Sequence, residues 1–338
     1  MLVLAHEFGH FITAKKRGVK VEEFGLGFPP RIASFKRGET IYSLNAIPLG
    51  GFTKMAGEED PKVARSLASK SAPTRLLILS AGSLMNLILP VVLFSVAFMV
   101  PHQIVTQPAV IAEVAPDSPA ANAGIQVGDR IVSVNGKTIV NTNDVQRQVV
   151  MNYGNSISIG LERGTDITEV HLVPRWNPPE GQGAIGIRFD AEAAVQGQVI
   201  VNRSEPFWDA IPMGVTELGE TMILFKNSII SMVTGASPAA VTGPVGVAQL
   251  TGEVARAGPS PLLEFTAFLS INLGIVNLFP LPALDGGRIV FVFLELIRRG
   301  KRISARTEGL VHFIGFALLI TAMVFITYQD VFRIITGG

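Results

Sequence analysis

Four stretches of this chain are apolar over long distances, and between them polar and apolar positions alternate in short runs. Leu76 to Val100 is 25 residues without a charge, its polar members being Ser80, Ser83, Asn86 and Ser95. A helix of that length crosses a hydrocarbon layer of ~30 Å. Leu262 to Leu281 repeats the pattern apart from Glu264, and Leu310 to Thr327 repeats it with His312 near one end. Met1 to Ala14 is apolar except for His6, Glu7, His10 and Thr13. Fourteen residues rise only ~21 Å as a helix, so a first span is expected here that looks truncated.

The segments between these spans read differently. Short β-branched runs broken by Gly, Asn and Asp recur at Val110 to Val114, Arg130 to Val134, Ser156 to Leu161 and Thr168 to Val173, which predicts strands. Ser118-Pro119-Ala120-Ala121 opens a short helix ended by Gly124. Thr142 to Met151 predicts a second helix, capped by Thr142 or Asn143. Ala184 to Phe189 is a further strand candidate. Phe207 to Val233 carries Ile211, Val215, Leu218, Met222, Phe225 and Ile229 at helical spacing, suited either to a membrane interface or to packing on the outer domain. Near the N-terminus, Arg31 to Phe35 and Thr40 to Leu44 flank Lys36-Arg37-Gly38-Glu39, a hairpin signal, and Phe28-Pro29-Pro30 fits a rigid turn.

Composition sharpens the class. The chain of 338 residues is 48% hydrophobic and only 16% charged, with a mean hydropathy of +0.41, which excludes an ordinary soluble enzyme. There is no cysteine, so disulfides and thiolate metal sites are excluded and any metal must be held by imidazole and carboxylate. Residues 101–261 carry 9 Lys/Arg against 15 Asp/Glu, and the remainder carries 19 against 12. An acidic insert inside a basic-flanked membrane protein follows, with no basic arm for nucleic acid. Lys15, Lys16, Arg17 and Lys20 belong on the cytoplasmic side together with Arg298, Arg299, Lys301, Arg302 and Arg306. Four spans with both termini outside satisfy this and put the insert on the outer face.

The chemistry concentrates in His6-Glu7-Phe8-Gly9-His10. At four residues' separation on a helix, two imidazoles lie ~6 Å apart along the axis and on one face. Both can then meet one zinc ion while Glu7 adjoins a water on that ion. Ionisable groups inside a span are costly and usually functional. A third ligand is required, and Asp285 in Leu281-Pro282-Ala283-Leu284-Asp285-Gly286-Gly287 is the leading candidate. The bland reading pairs it with Arg288 at a Gly-Gly turn. His102, His171 and His312 are placed less favourably.

Two resemblances add to this. Ser118-Pro119-Ala120-Ala121-Asn122-Ala123-Gly124-Ile125-Gln126-Val127-Gly128-Asp129-Arg130-Ile131, followed by Val134-Asn135-Gly136, resembles a PDZ domain, which implies peptide capture by strand addition. The histidine motif, with Asn277-Leu278-Phe279-Pro280-Leu281-Pro282-Ala283-Leu284-Asp285-Gly286-Gly287, Ile47-Pro48-Leu49-Gly50-Gly51-Phe52 and Ala81-Gly82-Ser83-Leu84-Met85-Asn86, resembles the site-2 protease family of intramembrane zinc metalloproteases. It is similar to the RseP-like members, with one PDZ domain in place of two. The resemblance implies Zn2+ as cofactor, His6, His10 and Asp285 as its ligands, and Glu7 as general base. Asn86 and Asn277 are candidates for the oxyanion or the substrate backbone, and Gly50 and Gly51 belong to a re-entrant β-region that adds an edge to an extended substrate. Ser83 stands where the family often has proline.

The expected protein is therefore an α-helical polytopic membrane protein of about four transmembrane helices, with a membrane-associated β-hairpin region and an inserted extracytoplasmic PDZ domain. The expected regions are a first span with the histidine motif (1–20), a cytoplasmic-side re-entrant hairpin region (21–75) and a second span (76–100). The PDZ domain (101–175) and a linker strand with an amphipathic helix (176–261) follow. The third span with the Leu-Asp-Gly-Gly segment (262–300) and the fourth with a C-terminal tail (301–338) complete the chain. The expected activity is endopeptidase cleavage of single-pass membrane proteins, an anti-sigma factor or a remnant signal peptide already cut by another protease, in the bacterial inner membrane. The expected partners are that substrate, a PDZ peptide ligand and the lipid bilayer, with no nucleic acid. The alternatives are a PDZ scaffold with a structural metal, and a metal or ion transporter.

Overall fold

The computed structural model describes residues 1–58, 60–236 and 242–336. Residues 59, 237–241 and 337–338, with the side chains of Pro48, Leu49 and Ala305, lie outside that description, and with them parts of the expected 21–75, 176–261 and 301–338 regions. The chain runs α1 (Leu2–Lys16), β1 (Val21–Arg37), β2 (Thr40–Met55) and α2 (Ala72–Met99). Next come β3 (His102–Thr106), β4 (Ala109–Val114), α3 (Pro119–Asn122), β5 (Arg130–Val134), β6 (Lys137–Thr138), α4 (Thr142–Met151), β7 (Ile157–Arg163) and β8 (Asp166–Leu172). β9 (Ile187–Phe189), α5 (Ala191–Gln196), β10 (Val199–Arg203) and α6 (Phe207–Val233) follow, then α7 (Pro244–Ala257), α8 (Pro259–Leu278), α9 (Asp285–Ile297) and α10 (Ala305–Thr336). Two compact units result, Met1–Ala97 with Val241–Gly338, and Phe98–Ala240.

The first unit holds the apolar helices. Among the described residues α2, α8 and residues 306–336 of α10 are long and apolar enough to cross a membrane. On α10, Phe313, Leu318 and Phe325 are 69%, 66% and 60% exposed. A row of bare aromatic and aliphatic side chains on a helix of that length fits lipid as its solvent and not water. Asp330, near the far end of α10, is buried and accepts a hydrogen bond from the Gly246 amide at 2.8 Å, so it caps the first turn of α7.

The β-region departs from a simple hairpin. Strands expected at 31–35 and 40–44 extend to Val21–Arg37 and Thr40–Met55. Glu23 to Leu26 have partners in two places, Ile41 to Leu44 and Gly51 to Lys54, while Arg31 to Arg37 pair with Thr40 to Asn45. Phe28-Pro29-Pro30 falls inside β1 where the register shifts, between a stretch (23–26) that runs in the same sense as 41–44 and one (31–37) that runs opposite to 40–45, so the chain reverses there. Local alternation revealed the inner pair, but the outer segment is held by long-range pairing that no short window contains. Val21 and Met55 pack with Ala14, Val19, Leu67, Ile78, Leu79 and Val292 in one buried cluster, which ties the sheet to α1, α2 and α9.

The second unit is β-rich. Its sheet has the order β8-β7-β5-β4-β9, with β6 on β5. Ile111, Ile131, Val134, Val145, Ile157, Ile159 and Leu161 form its core, each worth ~1.5–3 kcal/mol relative to exposure. Ser118 caps α3 by accepting from the Ala121 amide at 3.1 Å. α4 has the expected limits, but its cap is Asn141, which accepts from the Asp144 amide at 2.9 Å, in place of Thr142 or Asn143. Asn141 has the extended backbone a cap requires, and its two successors are already helical. The strand expected at 184–189 is confined to Ile187–Phe189. α5, α7 and the ribbon of β3 with β10 were not foreseen, because the ribbon pairs residues almost a hundred positions apart.

α6 has the limits expected from its periodicity, and it packs on α4. Asn227 donates to the carbonyls of Val150 and Met151 at 2.8 and 3.1 Å, satisfying acceptors that the end of a helix leaves bare. Arg147 pairs with Glu217 at 2.6 Å, and Lys137 pairs with Glu220. These contacts with the β-rich unit account for its polar face.

Candidate metal centre

α1 presents His6 and His10 on one buried face, and α9 brings Asp285 to them at its first residue. Nε2 of His6 lies 2.9 Å from Oδ2 of Asp285, Nε2 of His10 lies 3.1 Å from the same oxygen, and the two nitrogens are 3.2 Å apart. Tetrahedral zinc with bonds of ~2.0–2.1 Å would set its ligand atoms roughly 3.3 Å from one another. The triangle therefore has the dimensions of three corners of such a site.

The chemistry of the donors agrees with the dimensions. Nδ1 of His10 lies 2.8 Å from the carbonyl oxygen of Ile78, so Nδ1 carries the proton and donates, leaving the Nε2 lone pair turned toward His6 and Asp285. The Nε2 lone pair of His10 and the Asp285 carboxylate repel at the point they share with Nε2 of His6, and a cation there relieves that repulsion. Among the described residues these three are the His/Asp/Glu group able to hold a metal ion.

Small residues make the approach possible. A Cβ on Gly82 of α2 would meet Cδ2 of His10 and Cε1 of His6 at 2.8 Å, and one on Gly9 would overlap the Ala81 carbonyl. α1 and α2 thus cross at Gly9 and Gly82, as helices in membranes commonly do at small residues. Gly286 and Gly287 have a similar role and are not a turn. Both lie in the first turn of α9, where any side chain would collide with the carbonyls of Phe279 and Leu281.

Glu7 faces a cavity of about 570 Å³ whose lining includes His10, Thr53, Glu58, Asp285, Arg288 and His312. Thr53 donates to the Glu7 carbonyl at 2.9 Å, and a Cβ on Gly51 would lie 3.5 Å from Cγ of Glu7. Gly51 is thus carried alongside Glu7 on the segment that pairs with Gly25 and Leu26, while Gly50 faces Phe28 and Val3. Arg288 is not the partner of Asp285. It pairs with Glu58 at 2.8 Å, and Glu58 also accepts from the Met55 amide at 3.1 Å.

The two amides are less directly placed. Asn86 is fully buried one helical turn beyond Gly82, and neither atom of its side-chain amide has a hydrogen-bond partner among the described residues. Its backbone carbonyl accepts from Ser270 at 2.8 Å, which joins α2 to α8. Asn277 is half-buried in the last turn of α8. No hydrogen bond among the described residues joins either amide to His6, Glu7, His10 or Asp285. Thr53, Glu58, Gly82 and His312 were missed as neighbours of the site. The signals available were a glycine inside a span and polar side chains beside apolar runs, none of which names a partner.

The family model described as Peptidase family M50 matches residues 1–322. A relative from Clostridium acetobutylicum is 38% identical over 342 residues, covering 98% of this chain and 94% of its own. Zinc metalloprotease RasP from Geobacillus kaustophilus is 30% identical over 413 residues, covering 98% and 95%. Among solved structures, the PDZ domain of an SdrC-like protein from Listeria monocytogenes aligns with 25% of this chain and 87% of its own length, at 19% identity and a TM-score of 0.22.

Proposed function

We propose, for a chain that belongs to peptidase family M50 and so to the zinc metalloproteases, that it is an intramembrane endopeptidase cutting single-pass membrane proteins. The observation that carries this reading is the triangle of His6, His10 and Asp285 next to Glu7, in a unit whose neighbouring helices are long and apolar enough to cross a membrane. When bound by these three residues, zinc supplies Lewis acidity, lowering the pKa of a water to ~7 and polarising a carbonyl. The Glu7 carboxylate takes the proton of the attacking water and returns it to the leaving nitrogen. His10, held by the Ile78 carbonyl, keeps its Nε2 lone pair turned toward His6 and Asp285.

A substrate helix has its carbonyls bonded internally, so a stretch of it must unwind before cleavage. The segment Gly51 to Met55 pairs with β1 on one side and runs past Glu7, so its second side offers an edge to which an extended substrate can add. Gly50 and Gly51 leave room for that backbone, and Asn86 and Asn277 are donors for the substrate or the oxyanion. The β-rich second unit reads as a PDZ domain on the outer face of a bacterial inner membrane, admitting substrates whose outer part another protease has already removed. RasP of Bacillus subtilis, 29% identical over 416 residues, carries the name regulator of sigma-W protease, which supports an anti-sigma factor as substrate, a remnant signal peptide being the other member of the proposed class.

A scaffold with a structural metal would need a fourth protein ligand, and the group described here has three. The test is cleavage of a single-pass substrate in reconstituted vesicles. Glu7→Gln should retain metal and lose cleavage. A fully active Glu7→Gln enzyme, or metal flux without cleavage, would remove the reading.

A further inference from the structure

We propose that His312 of α10 is a positioning residue that holds the Leu281–Asp285 loop and thereby fixes Asp285 in the metal triangle. This rests on the reading of His6, His10 and Asp285 as ligands. Ala283, two residues before Asp285, has φ +77°. That is a left-handed conformation which a residue with a side chain adopts only when its surroundings enforce it. The enforcement comes from α10. The Ala283 amide donates to Nδ1 of His312 at 2.9 Å, a bond that ties the loop to α10. Three residues further on, and on the same face of α10, Gly315 lies so close to Pro282 that a Cβ would overlap it. The Phe291 ring of α9 packs against the imidazole with centroids 5.5 Å apart and so limits its rotation.

The grip reaches Asp285 through short backbone links. Leu284 donates to the Leu281 carbonyl at 3.3 Å and Gly287 to the Leu284 carbonyl at 3.1 Å, so the loop and the first turn of α9 move together. With Nδ1 accepting from Ala283, the ring proton resides on Nε2. His312 therefore acts through Ala283 and is not a fourth ligand. α10 becomes part of the metal centre without touching it.

The experiment titrates the purified full-length protein, metal-free in detergent, with Co2+ alone, and reads the visible absorption band of the bound ion and its dissociation constant. His312→Leu removes the acceptor and should weaken cobalt binding by about 10–100-fold with an altered band, the range found when the support of a ligand is lost. His312→Asn places an oxygen where Nδ1 was and should bind nearly as wild type. Ala283→Gly removes the strain, so the double variant with His312→Leu should recover most of the affinity, which also guards against a single variant that fails to fold. Asp285→Ala should abolish binding. Wild-type cobalt affinity and band in His312→Leu would overturn the proposal, as would His312→Asn behaving like His312→Leu. Normal binding by Asp285→Ala would instead overturn the ligand reading beneath it.

Discussion

Gly82 of α2 lies so close to His10 of α1 that any side-chain carbon on it would overlap the imidazole. The metal triangle and the helix crossing are therefore one packing problem, and a single methyl at that position acts on both.

Gly82→Ala is expected to displace the histidines, weakening metal binding by at least ~10-fold while costing only ~1–3 kcal/mol in overpacking. Chelator competition on the purified protein, with circular dichroism to show that the helices persist, checks this. Unchanged metal affinity would mean that the histidines have freedom the packing denies them.

Thr53→Val removes the bond to the Glu7 carbonyl, a single hydrogen bond worth ~0.5–1.5 kcal/mol. Cleavage should fall by a few-fold while metal content is unchanged, because Thr53 braces the strand against α1 and touches no ligand. Turnover of a reconstituted substrate alongside metal analysis tests the separation.

Part of this was legible along the chain and part was not. The histidine motif places two imidazoles on one helical face by spacing alone, and unbroken apolarity over 76–100 marks α2. Periodicity also gave the limits of Thr142–Met151 and Phe207–Val233. What failed was partnership across distance. Arg288 is three residues from Asp285 in sequence, yet it pairs with Glu58, 230 positions away. The pairing of β1 with the far end of β2 and the β3–β10 ribbon are equally invisible to any local window. His312 could be seen as a histidine in a span, but not as the acceptor for Ala283.

In the β-rich unit, Arg163 donates to Asp129 at 2.7 and 2.8 Å, and that bond holds the buried carboxyl below its ordinary value. A lowered folded pKa means stability that is present above the unfolded value near ~3.9 and is lost as pH falls through the folded one. Arg163→Ala should thus make β5 and β7 exchange amide hydrogens faster at pH 7, and the gap from wild type should narrow below pH ~4. A gap that widens on acidification would refute the assignment.

Thr106 and Val199 are paired partners at one end of the β3–β10 ribbon. Replacing residues 107–198 by an Asn-Gly turn should leave that ribbon closed as a hairpin. The shortened enzyme is expected to cleave untrimmed and trimmed substrates at more similar rates than the wild type does. Unchanged relative rates would exclude a filtering role for the unit.

The most direct measurement is the zinc content of the purified full-length protein and its single variants. About one zinc per chain is expected in the wild type and in Glu7→Gln, and much less in His6→Ala, His10→Ala or Asp285→Ala, because a catalytic site rests on three protein ligands and the loss of one weakens its hold on the ion steeply. Full occupancy in Asp285→Ala would contradict the account at its centre.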